Sequence, residues 1–425
     1  MNSRSVFTIV AKNYVGLARI LGSSIEKQDS DIDFYIFIAD EPDGCGVSFP
    51  TNALIAHEVL LYSLKEWTDM SFKYDLTAFC TAIKPACFEY LFSKGYEKAI
   101  YLDPDIYIFS SMSGIFSDLD KHAILLTPHV NRVHQNYIGE RPEERGLWEG
   151  TYNLGFCALR KCEATLEMIQ WWKDRLKGHG FAAIYGSEFY DQKWMILVPG
   201  YYDSDIVRIL RHPGINMAPW NFFERELIKD GGKWLVKWRG VNEDESFPLV
   251  FIHFAGYDYK SMCQGSLQRT RLDLNNYPDI EGALEDYRIA LMNDKEHFLK
   301  YIDLPYSYSC YENGKQIERF HRLLYAGLVR EGKKIENPFS SSAGSLFSVL
   351  EKRHMVQKGS INVEKYSDKT FPGYDKNKHR MNLLFKWAMR LLGYKRYNLL
   401  VRGLYNYSKP ENHTFLLEGE TIEGQ

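Results

Sequence analysis

Cysteine is sparse in this chain and follows no pattern. Its seven cysteines are odd in number and include no C-x-x-C pair, with Cys80 and Cys87 seven apart and Cys157 and Cys162 five apart. A disulfide framework or a zinc site needs paired, regularly spaced thiols, so both are excluded, and reduced, mostly buried thiols in a cytosolic protein are expected. No run of about 18 apolar residues occurs, which excludes a transmembrane helix from expectation. The apolar run Val6 to Ala11 is too short for a signal peptide and reads as a first strand. Internal repeats are absent. Charge of one sign is also absent as a global feature: 425 residues carry a formal net charge of -3, which argues against a nucleic-acid partner.

Aromatic residues are abundant. They make up 15% of the chain, with 29 Tyr and 25 Phe, which suits either sugar-facing and interface surfaces or an ordinary aromatic core. The length allows one large α/β domain with additions, or two domains. The opening reads strand (Val6 to Ala11), helix (Tyr14 to Ile25), strand (Asp33 to Ile38), which points to parallel α/β winding. Further on, a helix is expected over Asp75 to Leu91 and strands over Ala99 to Leu102, Ala123 to Thr127 and Asn153 to Leu159. A helix over Glu163 to Leu176 and a late strand over Leu249 to His253 complete the α/β unit, placed at 1–260. A charged, Tyr-rich helical extension occupies 261–335. The stretch Asn337-Pro338-Phe339-Ser340-Ser341-Ser342-Ala343-Gly344-Ser345 marks a linker region, 336–373.

The last segment, 374–425, differs in kind. Between Lys376 and Lys409 it holds nine Lys or Arg and no Asp or Glu, interleaved with Leu383, Leu384, Phe385, Trp387, Leu391 and Leu392. Such a basic amphipathic segment suits an anionic membrane surface; a helix packed on the main domain with a solvated basic face is the alternative.

The most informative motif is Tyr101-Leu102-Asp103-Pro104-Asp105-Ile106. Two carboxylates one residue apart stand between apolar runs, and Pro104 breaks the strand between them. Ile106 to Phe109 reads as a continuation or a second short strand. Open α/β sheets present ligands at the carboxyl ends of strands, and hard oxygen donors there suit Mg²⁺ or Mn²⁺ completed by substrate phosphates.

Further motifs come in order: Ala11-Lys12-Asn13-Tyr14 after the first strand, Lys84 in the helix before the Asp-Pro-Asp strand, Thr151-Tyr152-Asn153-Leu154-Gly155, Tyr190-Asp191-Gln192-Lys193 and Phe251-Ile252-His253-Phe254-Ala255-Gly256. Together they resemble the GT-A glycosyltransferases, and most closely retaining family 8, which includes bacterial lipooligosaccharide galactosyltransferases and glycogenins, in a branch serving surface-polysaccharide synthesis. The resemblance covers about residues 6–260.

It implies an α/β, Rossmann-like nucleotide-sugar-binding domain with a mixed central sheet, and a helical C-terminal extension. It implies that Ala11, Asn13 and Tyr14 hold base and ribose. Lys84, Asp103, Asn153, Gly256 and Lys260 would meet the rest of the donor. Asp103, Asp105 and His253 would bind Mn²⁺ or Mg²⁺. Asp191 and Gln192 would face the anomeric carbon. Three positions depart from the pattern: Lys12 where an acid is frequent, Lys193 where a second acid is frequent, and Tyr259 at the spacing of a phosphate-binding lysine, with Lys260 one residue late.

The expected activity is transfer of a hexose from a nucleotide-sugar, a UDP-sugar first, to an oligosaccharide or lipid-linked glycan, with retention. An inverting GT-A transferase and a catalytically silent sugar-binding protein are the alternatives. A nucleotidyltransferase would begin with a glycine- and basic-rich phosphate loop, which Ala11-Lys12-Asn13-Tyr14 lacks. His212 to Asn216, with Trp220 and Asn221, reads as loops around donor or acceptor sugar. The expected location is cytoplasmic, peripheral on the inner face of the plasma membrane.

Overall fold

A computed structural model describes residues 3–42, 44, 46–139, 141–183, 187–241, 245–266, 276–357 and 374–423. The chain forms two compact units, one of residues 1–63 and 76–307, the other of residues 64–75 and 308–425. The helical stretch expected over 261–335 is shared between them: helices Glu281–Asn293 and Lys295–Ile302 belong to the first unit, Arg319–Arg330 to the second.

In chain order the strands are β1 (Arg4–Val10), β2 (Asp33–Ile38), β3 (Ala53–Ile55), β4 (Lys98–Leu102), β5 (Ile106–Ile108), β6 (Ile124–Pro128) and β7 (Tyr152–Arg160). They continue with β8 (Ala182–Ala183), β9 (Glu188–Phe189), β10 (Val207–Ile209), β11 (Arg225–Asp230), β12 (Lys233–Trp238), β13 (Phe247–Pro248) and β14 (Phe251–His253). Seven form the central mixed sheet of the α/β unit, in the order β10-β6-β7-β4-β1-β2-β3. All neighbours are parallel except those of β7, which runs against both β4 and β6. The strands are apolar on both faces because helices cover both sides, as in parallel sheets generally. Phe7 on β1 meets Phe37, Phe88 and Tyr101 edge-on at centroid distances of 5.6, 4.8 and 5.4 Å. Each such fully buried ring contributes about 1.5–3 kcal/mol of transfer free energy.

The reversed strand decides which residues reach the sheet's carboxyl edge. Because β7 is antiparallel to β4, its first residues, not its last, lie beside the carboxyl end of β4. Leu102 pairs with Phe156, and the Asp103 amide donates to the Gly155 carbonyl at 2.8 Å.

The helix expected over Asp75 to Leu91 needs correction: it is two helices, Leu76–Ala82 and Lys84–Ser93, parted at Ile83. Pro85 cannot donate to the Thr81 carbonyl, so the ladder breaks and restarts with proline in its first turn. Of the two readings open for Ile106 to Phe109, the structure takes the second short strand. β5 does not continue β4; it turns away and pairs antiparallel with β14, His253 opposite Ile106.

In the second unit, Arg322 is the buried tie. Its guanidinium donates to the carbonyls of Ser71 (3.3 Å), Phe72 (2.5 Å), Tyr74 (2.8 Å) and Tyr308 (2.6 Å). It thereby satisfies the unpaired carbonyls at the end of helix Leu64–Lys73, where a cation is also favoured by the helix dipole. The expected 336–373 linker contains helix Leu346–Lys352, and its residues 358–373 lie outside those described. The basic segment is helical over Tyr374–Tyr407, broken at Gly393, whose φ of 70° and ψ of 164° leave the helix. Among the described residues no helix is long and apolar enough to cross a membrane.

Candidate active site

Four chain segments converge at the carboxyl edge of β4. The turn after β4 carries Asp103 and Asp105, closed by the Ile106 amide donating to the Asp103 carbonyl at 3.1 Å. The start of β7 brings Asn153 and Gly155. The end of β14 brings His253. The turn after β1 brings Asn13 and Tyr14.

His253 Nε2 lies 3.0 Å from Asp105 Oδ1 and 3.5 Å from Asp103 Oδ2, and the three side chains offer ligand atoms all within 4.8 Å of one another. Gly155 makes the room: a Cβ there would stand 2.5 Å from His253 Cε1 and 2.8 Å from Asp103 Oδ2. Two tyrosines orient the carboxylates. The Tyr101 hydroxyl donates to Asp103 Oδ1 at 2.5 Å, and the Tyr259 hydroxyl lies 2.8 Å from Asp105 Oδ2 and 2.8 Å from the Phe254 carbonyl. Burial pushes the Asp103 carboxyl up, and the opposing pull of His253 and Lys84 does not cancel it. Burial also acts upward on Asp105, but His253 and the Tyr259 hydroxyl outweigh it and hold this carboxyl low. Burial alone would lower His253, yet Asp105 and Asp103 beside it carry it above its ordinary value. Two half-buried carboxylates and a buried imidazole in one cluster are a donor set that fits Mn²⁺ or Mg²⁺.

Lys84 is buried at 1% exposure and reaches across to Asp191, its Nζ 2.5 Å from Oδ2 and 2.8 Å from the Leu154 carbonyl. The ammonium also lies 4.0 Å from the Tyr101 ring centroid. It therefore holds Asp191, not the carboxylates of the Asp-Pro-Asp turn. Asp191 stands at the start of the 3-10 helix Gln192–Leu197, but its side chain makes no capping hydrogen bond, so the ion pair explains it better than a cap. Burial raises its carboxyl, opposed by Lys84. The Gln192 amide accepts from the Leu154 amide (3.1 Å) and donates to the Glu149 carbonyl (2.8 Å). Asn153 Oδ1 accepts from Asn216 Nδ2 at 3.1 Å.

At the other side, Ala11 is buried, Tyr14 meets Tyr259 edge-on at 6.3 Å, and Asn13 Oδ1 is buried with no protein partner. Lys12 turns away to the buried Asp40 (3.5 Å) and to Ser307 Oγ (2.6 Å). Gly256 has φ of 81°, the left-handed turn that carries the chain from His253 toward Tyr259. Lys260 is not gathered with the others: its ammonium pairs with Asp303 at 2.6 Å on the surface.

Three members of the cluster, Tyr101, Tyr259 and Asn216, are not among the site residues read from the sequence. The first two carry a local signal. Tyr101 is two residues before Asp103, the spacing that shares a strand face, and Tyr259 stands at the spacing of a lysine. Asn216 is expected from the sequence only as the end of a loop around the sugar, with no role of its own. The segments expected as sugar-facing loops, His212 to Asn216 with Trp220 and Asn221, are largely hydrogen-bonded into the fold. Met217 pairs with Ile252, the His253 amide donates to the Met217 carbonyl at 2.8 Å, and Asn216 bonds Thr127 Oγ1 at 2.8 Å. A Cβ on Gly214 would lie 1.9 Å from the Pro248 carbonyl oxygen. Trp220 is the exception: it meets His253 edge-on at 5.2 Å and walls a cavity of about 230 Å³ shared with His129, Tyr137, Arg141 and Thr151.

No family model matches the chain. Over 261 residues it is 26% identical to YfnF, an uncharacterised protein of Bacillus subtilis strain 168, spanning 59% of this chain and 80% of that relative. Among solved structures, the galactosyltransferase LgtC with donor and acceptor sugar analogues is similar over 59% of this chain and 87% of that chain, at 13% identity and a TM-score of 0.35. An active-site variant of LgtC is similar over 68% and 95%, at 13% identity and 0.37. Mouse xyloside xylosyltransferase 1 is similar over 51% and 87%, at 11% identity and 0.32.

Proposed function

We propose that this chain is a metal-dependent glycosyltransferase. It moves a hexose from a nucleotide-sugar, a UDP-sugar being the first to test, to an oligosaccharide or lipid-linked glycan in bacterial surface-polysaccharide synthesis, with retention. The observation that carries the reading is the cluster of half-buried Asp103 and Asp105 with buried His253, together with the buried Lys84–Asp191 pair and Gln192 on the neighbouring segments. A divalent cation held by the three ligands would neutralise charge on the departing nucleotide diphosphate. Asn13 and Tyr14 hold the nucleoside end. Asn153 presents its amide N–H groups to sugar hydroxyls, since Asn216 occupies its oxygen. Lys84 keeps Asp191 fixed, and backbone groups fix Gln192, so both meet the anomeric carbon with no rearrangement to make. The cavity walled by Trp220 takes the acceptor. The Trp220 indole N–H is buried with no protein partner, which suits donation to an acceptor hydroxyl.

The test is release of free nucleotide from a panel of UDP-, GDP- and other nucleotide-sugars, with Mn²⁺ and then with EDTA. Metal-dependent release from one donor, lost in Asp105→Ala and His253→Ala, is expected. Nucleotide binding without turnover of any donor, with acceptors supplied, would reduce the chain to a binding protein. An inverted linkage by NMR would reject retention.

The same reading includes a membrane role for helix Tyr374–Tyr407, whose Leu383, Leu384, Trp387, Leu391, Tyr394 and Leu399 are each at least half exposed among the segment's cations. It docks the enzyme on an anionic bilayer where lipid-linked acceptors lie. Co-sedimentation with anionic vesicles is expected for the full chain and lost on truncation after residue 370; equal binding to neutral vesicles would sink it.

A further inference from the structure

A second cleft of about 750 Å³ opens in the first unit, between the end of helix Val15–Gln28, strand β5, the β11–β12 turn and helix Glu281–Asn293. Its lining includes three aromatic side chains, Tyr107, Phe109 and Trp234. Trp234 is held in one pose: its indole N–H donates to Asp286 Oδ2 at 2.7 Å, and it lies so close to Gly282 that a Cβ there would stand 2.6 Å from Cη2. Tyr107 and Phe109 brace each other edge-on at 5.0 Å. Such a floor needs no ordering when a ring-shaped ligand lands on it.

Polar groups surround the floor and are uncommitted. Among the described residues the side chains of Lys27, Gln28, Lys233 and Asn293, all lining the cleft, have no hydrogen-bond or ion-pair partner. The lone lining aspartate, Asp286, already serves the Trp234 indole. Lys229 adds a third cation 4.7 Å from the indole centroid. Asp286 keeps its negative charge and Asp230 stands opposite Lys233 in the hairpin, so three lysines face two aspartates, a small positive excess beside partly buried aromatic rings, with amides at the margin.

We propose that this cleft is a saccharide-binding site for an acidic oligosaccharide, distinct from the metal cluster. Ring faces of the sugar stack on the aromatic floor, Gln28 and Asn293 meet hydroxyls, and Lys27 and Lys233 meet a carboxylate. Helix Val15–Gln28 begins beside Tyr14 at the metal cluster and ends at this cleft, about 20 Å along, so a glycan held here adds to acceptor hold at a distance, without touching the reacting atoms.

Binding is read without turnover, so the proposal stands or falls separately from the donor experiment. Saturation-transfer NMR and calorimetric titration of the full chain would use tetragalacturonate, with galactotetraose as the neutral probe. Tetragalacturonate is expected to bind saturably and at least tenfold more tightly than the neutral probe. Binding is expected to weaken at least tenfold in Lys27→Ala/Lys233→Ala. It should weaken similarly in Ile289→Glu, a change at an exposed rim position that leaves the core untouched. No saturable binding, equal affinity for both probes, or affinity unchanged in both variants would each overturn the proposal.

Discussion

At the scale of single residues, Gly155 defines how little space the ligand cluster has. A methyl group there would overlap the His253 ring and press on Asp103 Oδ2, 2.8 Å away. Gly155→Ala is expected to abolish the rise in thermal midpoint on adding Mn²⁺ and to cut nucleotide release more than tenfold, with far-UV circular dichroism unchanged. An unaltered Mn²⁺ response would mean the ligands move apart freely. The Lys84–Asp191 pair makes a different prediction. Removing one partner of a buried pair leaves an uncompensated charge and costs about 3–5 kcal/mol, whereas replacing both with apolar groups is close to neutral. Lys84→Met is expected to lower stability by that amount in urea unfolding, and Lys84→Met/Asp191→Leu to recover most of it while both remain inactive. His129 is one contributor to the pH dependence of stability. Burial depresses its pKa from the ordinary 6.5 to about 4, so between those values the unfolded chain binds a proton that the folded chain refuses. Stability from the neutral ring is complete above pH 6.5 and drains as pH falls toward 4. The urea midpoint of His129→Asn is expected to fall less over that range.

At the scale of elements, apolar runs make several strands and helices readable. The strand over Asp33–Ile38 and the helix over Glu163–Leu176 are where the pattern puts them. Others are less plain. The break at Ile83 follows from Pro85 and is visible in principle. The hairpin β11–β12 turns on Gly231 and Gly232, both at positive φ (52° and 80°); a glycine pair between two such runs is a strong hairpin signal, yet neither strand is among those expected from the sequence. The pairing of β5 with β14 lies beyond local reasoning, since its partners are far apart in sequence. Arg322 belongs to this scale as well, because it ties an inserted helix to a segment hundreds of residues later. Arg322→Met would leave four buried carbonyls without their donor. A loss of at least about 3 kcal/mol is expected, since hydrogen bonds to a charged group are worth roughly 1.5–3 kcal/mol each; limited proteolysis within 64–75 would report it, and unchanged resistance would contradict it.

At the scale of the whole molecule, the net charge of -3 conceals a division: the nine cations of residues 376–409 leave the rest of the chain strongly negative. Vesicle binding through the tail is therefore expected to be steeply salt-dependent, weakening as the Debye length shrinks from about 10 Å at 0.1 M to about 3 Å at 1 M. Binding insensitive to salt would mean the apolar side chains act alone. The sequence by itself determined the α/β class, the Asp-Pro-Asp turn, the order of the motifs and the composition of the tail, because these are local: apolar period, proline geometry and charge density need no partner. Only the tertiary structure decided which side chains meet. The reversal of β7 brings Gly155 to Asp103, the β5–β14 ribbon brings His253 to Asp105, and the break at Ile83 sets Lys84 at a helix start with its ammonium on Asp191. Each of these contacts joins segments separated by tens to well over a hundred residues, and strand direction and pairing, which no single stretch encodes, select them.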